Sequence, residues 1–69
     1  MNKIEFKLNG EDFSVAKDSS IQDLIVLLEL DIKKVAVERN LNIVDFTNFQ
    51  EEKILPNDQI EIVHFIGGG

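Results

Sequence analysis

Few side chains in this chain could do chemistry, and fewer could do it together. There is one histidine, His64, with no cysteine and no tyrosine, and the serines Ser14, Ser19 and Ser20 stand without a base close in sequence. Nucleophilic catalysis needs a nucleophile, an adjacent base and a group that orients the base. That set is missing, so the chain reads as no enzyme and no catalytic residue is assigned. His64 falls on the alternating face of the last apolar run and reads as a partly buried or edge histidine with a satisfied hydrogen bond. Glu51-Glu52 reads as a solvated acidic corner, because adjacent residues of an irregular segment rarely converge on one substrate. Lys33-Lys34 reads as solvation at a helix end or loop. The stretch NDQIE, Asn57 to Glu61, has oxygen donors but lacks the ligand number and glycine placement of a calcium loop, and no thiolate site can form without cysteine. No metal is implied.

What remains is the ending IVHFIGGG, Ile62 to Gly69, where a strand-forming run breaks into three glycines. One reading is a frayed terminus. The sharper one makes the terminal carboxylate of Gly69 the reacting group. A carboxylate reacts only once activated, for instance as an acyl-adenylate in another protein's nucleotide site. Gly67 and Gly68, lacking Cβ atoms, can thread a narrow channel towards such a site in backbone conformations closed to other residues.

An arm of this kind needs a body to present it. KIEFKLNGEDFSV alternates, with Ile4, Phe6 and Leu8 on one face and Lys3, Glu5 and Lys7 on the other, and Phe13 and Val15 resume the pattern. Asn9-Gly10 suits a two-residue turn with positive φ at both positions, so a hairpin is predicted. In AKDSSIQDLIVLLEL the period changes: Ile21, Leu24, Ile25 and Leu28 make one helical stripe, Ser20 is placed to cap it and Asp23 favours its positive end. Val26 and Leu30 lie off the stripe and read first as packing under neighbouring loops, second as a partner surface. A third strand is predicted at VAVERN, with Val35 and Val37 on one face, and a short strand at Ile43-Val44. An irregular or single-turn helical connection follows from Phe46 to Glu52, then an extended piece at Lys53 to Leu55. LPNDQ forms a turn with Pro56 at its second position. The final strand, Gln59 to Ile66, puts Ile60, Ile62, His64 and Ile66 on one face and Glu61, Val63 and Phe65 on the other.

Hairpin, helix, strand, small elements and a last strand returning to the middle of the sheet give an α+β chain of β-grasp (ubiquitin-like) layout, a mixed sheet crossed by one main helix. Residues 1–66 form the β-grasp domain and 67–69 a flexible reactive glycine tail. Sixty-nine residues leave no room for a second domain. The formal net charge of -6 argues against nucleic acid and anionic membranes as partners and is compatible with a basic protein surface. No apolar run approaches a membrane span and the start lacks a signal-peptide pattern, so a cytoplasmic location is expected.

On SSIQDLIVLLEL, VAVERNLNIV and NDQIEIVHFIGGG, covering nearly the whole chain, the sequence resembles the ubiquitin-like sulfur carriers, and among them those of thiamine biosynthesis. The resemblance implies that the Gly69 carboxylate is adenylated by a partner resembling the ubiquitin-activating enzymes. ATP is then used by that partner and no cofactor is bound by the chain. A sulfur donor enzyme would supply sulfur to make a thiocarboxylate, which thiazole synthase would consume. Gly68 and Gly67 carry over as the threading tail, and Val63 and Phe65 on the outward face of the last strand as the docking surface. Asp45-Phe46 stands where the family often has proline and arginine, Phe49 where it often has tryptophan, and Gly67 is an extra residue in the arm. Three other readings share the layout: the sulfur carrier subunit of a molybdopterin synthase, a ubiquitin-like protein modifier, and a non-covalent β-grasp binding module.

Overall fold

Asn9 and Gly10 adopt φ of 52° and 84°, the left-handed pair that a tight hairpin turn demands, and this joins β1 (Lys3–Leu8) to β2 (Glu11–Ala16). The computed structural model describes residues 2–65. The expectations for Ile66 and for Gly67, Gly68 and Gly69 lie outside the described residues. In the hairpin Phe6 lies opposite Phe13 and Ile4 opposite Val15, so the predicted apolar face is continuous across both strands. The rings of Phe6 and Phe13 meet edge to face with centroids 5.8 Å apart.

The helix α1 (Ile21–Leu27) begins where the sequence calls for it. Ser20 Oγ accepts from the Asp23 amide and the Asp23 carboxylate accepts from the Ser20 amide, a closed capping box. Ile21, Leu24 and Ile25 are fully buried, and Leu28 packs against the core from the helix end. Each such side chain contributes about 1.5–3 kcal/mol by leaving water. The off-stripe residues separate: Leu30 packs against the core as expected, whereas Val26 is exposed and so is Leu27 beside it. The expectation of packing under loops is thus corrected for Val26: the chain turns back at Glu29 (φ 60°), and the Leu30 amide donates to the Ile25 carbonyl (3.1 Å), which draws Leu30 to the core and leaves Val26 in solvent.

A 3₁₀ turn at Ile32–Lys34, capped by Asp31, places Lys33 and Lys34 at its last positions, both exposed, and leads into β3 (Val35–Arg39). The short strand is β4 (Asn42–Ile43), one residue earlier than expected, because the turn at Asn40-Leu41 brings Asn42 opposite Arg39. Val44 still donates to the Val37 carbonyl (2.9 Å). A second 3₁₀ turn, Phe46–Asn48, ends on Phe49, which is buried and touches Phe46 edge to face. Lys53 bridges to Ser20, and the turn Leu55–Asp58 has Pro56 second and Asn57 third at φ 68°. Then comes β5 (Gln59–His64).

The strands lie in the order β2-β1-β5-β3-β4, with β5 parallel to β1 and antiparallel to β3. The last strand is therefore central, and α1 covers one face of the sheet over Phe6, Val15, Val37, Ile60 and Ile62. No helix among the described residues is long and apolar enough to cross a membrane.

A polar cluster fixes the start of β5. The Asp58 carboxylate, only 6% exposed, accepts from Arg39 Nε (2.9 Å), Asn40 Nδ2 (3.1 Å) and the Leu55 amide (2.9 Å). Arg39 reaches on to Glu52 (2.6 Å) and the Lys53 carbonyl (2.7 Å), and the Gln59 amide donates to Asn40 Oδ1 (2.9 Å). Glu52 is accordingly half-buried and tied to Arg39, which corrects its reading as a solvated corner; Glu51 alone remains exposed. Removing one partner of a buried pair leaves the other uncompensated, whereas an accessible carboxylate keeps water as an alternative. Asp58→Ala should cost roughly 2–4 kcal/mol of stability. Glu52→Ala should cost less than about 1 kcal/mol, and urea melts of the two variants check the difference.

Candidate functional site

The sequence points to the end of β5, and the fold leaves that end with one of its two neighbouring strands. β1 stops at Leu8, whose neighbour on β5 is Ile60, so beyond Ile60 the strand loses its parallel partner. The Asn9 side chain substitutes for one further step: Oδ1 accepts from the Ile62 amide (2.9 Å) and Nδ2 donates to the Ile62 carbonyl (3.4 Å). On the other side pairing with β3 continues through His64 opposite Val35, and the Phe65 amide donates to the Lys34 carbonyl (2.7 Å). Phe65 is the last described residue, four positions before Gly69 in the sequence.

Alternation along β5 now decides what each side chain meets. Ile60 and Ile62 point into the core, while Glu61 and Val63 point to the uncovered face of the sheet. Val63 is 58% exposed and Phe65 54% exposed, which excludes a core role for Phe65. Val63 lies opposite Ala36, also exposed, so a small apolar strip sits beside the last described residues of the chain.

His64 is exposed on a stretch of β5 that has β3 on one side only, so of the two readings the edge histidine holds and the partly buried one is corrected. The seven-residue helix α1 spans about 10 Å, roughly half the length of the six-residue strand β5 at about 3.3 Å per residue, so it does not reach over the whole of β5. The departures at Asp45-Phe46 and Phe49 have local structural roles. Asp45 caps its 3₁₀ turn, and the Thr47 hydroxyl (2.7 Å) and amide (2.8 Å), in that order, hold its carboxyl below the usual aspartate range. Phe49 fills the core and its carbonyl accepts from Gln22 (3.0 Å). Among the described residues no three His, Asp or Glu side chains converge as a metal site.

Sequence reasoning missed the Arg39–Asp58–Glu52 cluster and the Asn9 clamp on β5. Turn propensity accounts for Asn9 beside Gly10, but a side-chain amide pairing with a strand more than fifty positions away leaves no local trace. Nor was the alignment of Glu38 directly opposite Glu61 visible before the register was known.

Residues 4–69 match the family model described as ThiS family. The sulfur carrier protein ThiS of Bacillus subtilis strain 168 is 45% identical over 64 residues, covering 91% of this chain and 97% of that protein. A protein named thiazole synthase from Paramagnetospirillum magneticum is 40% identical over 62 residues, which span 90% of this chain but 19% of that relative. The crystal structure of the thiamine biosynthesis protein ThiS from Geobacter metallireducens superposes with a TM-score of 0.80 at 25% identity, covering 96% of this chain and all of that one. A central last strand leaving a five-stranded β-grasp sheet, the family match through Gly69 and the likeness to whole ThiS chains agree: the chain belongs to the ThiS family, the small sulfur carriers of thiamine biosynthesis.

Proposed function

We propose that the Gly69 carboxylate is the group that carries sulfur. A ThiF-type adenylyltransferase, resembling the ubiquitin-activating enzymes, joins it to the α-phosphorus of ATP with release of pyrophosphate. Sulfide-level sulfur supplied by a sulfur donor enzyme then attacks the acyl carbon, AMP leaves, and a thiocarboxylate remains. That group is ionised at neutral pH and is a better nucleophile than the carboxylate, so it can deliver sulfur to thiazole synthase, the ThiG-type partner. Residues 1–66 act as the docking body and 67–69 as the arm. The observation that supports this reading best is that the family match runs through the glycines to Gly69. A relative bearing the thiazole synthase name includes a segment like this chain, which supports the choice of acceptor. The chain supplies no catalytic group of its own; its contribution is to bring one carboxylate to the reacting phosphorus with binding energy gathered elsewhere.

Incubation with the adenylyltransferase, ATP and a sulfur source, followed by intact mass, tests the reading. The expected product is heavier by the difference between one sulfur and one oxygen. An unchanged mass, or an isopeptide bond to lysines of other proteins, overturns it. Deleting Gly69 moves the carboxylate by about 3.5 Å and should lower activation by roughly a hundredfold or more, with an unchanged thermal melt.

Val63 and Phe65 serve as the docking surface beside the arm, with Phe65 as its aromatic anchor. Phe65→Ala should weaken binding to the adenylyltransferase or to thiazole synthase by about 1–3 kcal/mol. Because the ring is half exposed, folding stability should change by less than about 1 kcal/mol. Calorimetric titration and a melt of the same variant separate the two effects, and an unchanged affinity for both partners removes Phe65 from the interface.

A further inference from the structure

The uncovered face of the sheet treats charge in two ways. On the hairpin, Lys7 lies opposite Asp12 and their side chains form an ion pair (2.6 Å). Between β3 and β5, Glu38 lies directly opposite Glu61, and neither forms a salt bridge among the described residues. Both carboxylates are exposed on the same face, and like charges at directly opposed positions destabilise a sheet. Two lysines flank the pair: Lys7, diagonal to Glu61 across β1 and β5 but paired with Asp12, and Lys34, four positions from Glu38, roughly 13 Å along an extended chain.

This acidic pair sits inside an apolar surface. Ile43, 81% exposed, lies opposite Glu38 on its other side, and the next row towards the exit of β5 holds Ala36 and Val63, followed by Phe65. The surface is therefore apolar on the β4 side and towards Phe65, which faces Lys34, with two negative charges between and Gln59 on the hairpin side, and it reaches the last described residue before the tail. A complementary partner presents an arginine or lysine flanked by apolar side chains: the cation sits between the two carboxylates while its neighbours cover Ile43, Val63 and Phe65.

We propose that the Glu38–Glu61 pair is a docking determinant that receives a basic side chain of thiazole synthase. The pair is kept at a cost to the fold because it is neutralised only in that complex. The proposal rests on the sulfur-carrier reading above. Thiazole synthase is the occupant because a relative of that name holds a segment like this chain within its own length, so the two bodies are neighbours there by covalent connection.

The test compares Glu38→Gln, Glu61→Gln and, as a control removing the same charge elsewhere, Glu51→Gln in the full chain. Glu38→Gln and Glu61→Gln should each raise the melting temperature by about 1–5 °C, since the opposed charge is gone. Each should also weaken binding to thiazole synthase on the order of tenfold and flatten its salt dependence. Glu51→Gln should do neither. All variants should gain sulfur at the wild-type rate in the intact-mass assay. Wild-type chain that gains no sulfur defeats the carrier reading itself. Wild-type chain that gains sulfur, with variants that bind thiazole synthase as well as it does, overturns the proposal alone. Slowed sulfur gain with unchanged thiazole synthase binding reassigns the surface to the adenylyltransferase and likewise overturns it.

Discussion

Everything in this molecule depends on how β5 is held, because the strand that completes the core is also the one that runs on towards Gly69. A central strand is normally paired on both sides along its length. Here the pairing is complete only at the start, where the buried Asp58 carboxylate gathers Arg39, Asn40 and the Leu55 amide. From there β5 loses β1 after Ile60, keeps the Asn9 clamp to Ile62, and keeps β3 to Phe65. Restraint falls off along the strand in steps, so the direction of the chain at Phe65 is set by a rigid root and not by contacts of its own side chain.

The size of the chain makes that arrangement consequential. At about 0.05–0.15 kcal/mol per residue, a domain this small has roughly 3–10 kcal/mol of net stability. Among the described residues the core is ten buried apolar side chains under one short helix. Against such a margin a single buried ionic cluster matters, and its worth lies less in attraction than in the penalty for undoing it: Asp58 without Arg39 would be a nearly dry carboxylate with no cation. The cluster also joins the turn before β5 to the end of β3 and to the segment before Ile54. The three stretches that meet around the head of the last strand are therefore held to one another by the same few side chains.

What the sequence revealed follows the range of the interactions. Asn9-Gly10, Ser20 with Asp23, and Pro56-Asn57 act within three or four positions, and each turn or cap formed as read. The alternation of Ile60 and Ile62 against Glu61 and Val63 placed the two faces of β5 correctly, because a period of two needs no partner to be read. Arg39 with Asp58 was not legible: nineteen positions apart, each is an ordinary surface charge until the fold brings them together. His64 and Val26 were misjudged for a related reason. Periodicity says which way a side chain points, but whether anything lies there depends on the length of the covering helix, and α1 stops at Leu27. For the site, the exposed pair Val63 and Phe65 was readable from alternation, while the opposition of Glu38 and Glu61 required the register of β3 on β5.

The open sheet face carries the remaining argument. One face of the sheet is covered by α1 and the other is not, so the second must be tolerable to water without a layer of its own. On the hairpin side that problem is solved in the ordinary way, with Lys7 and Asp12 opposed and paired. Toward the exit of β5 the solution is different: exposed Ile43, Val63 and Phe65 surround two opposed glutamates. Neither choice favours the isolated fold, since exposed apolar area and uncompensated like charge both work against it. The two kinds of surface share one sheet, one solvent and one set of backbone constraints, so the fold alone does not account for the contrast. It is accounted for if the half of the face beside the arm is shaped for the surface that covers it during sulfur transfer, and the half on the hairpin is shaped for water.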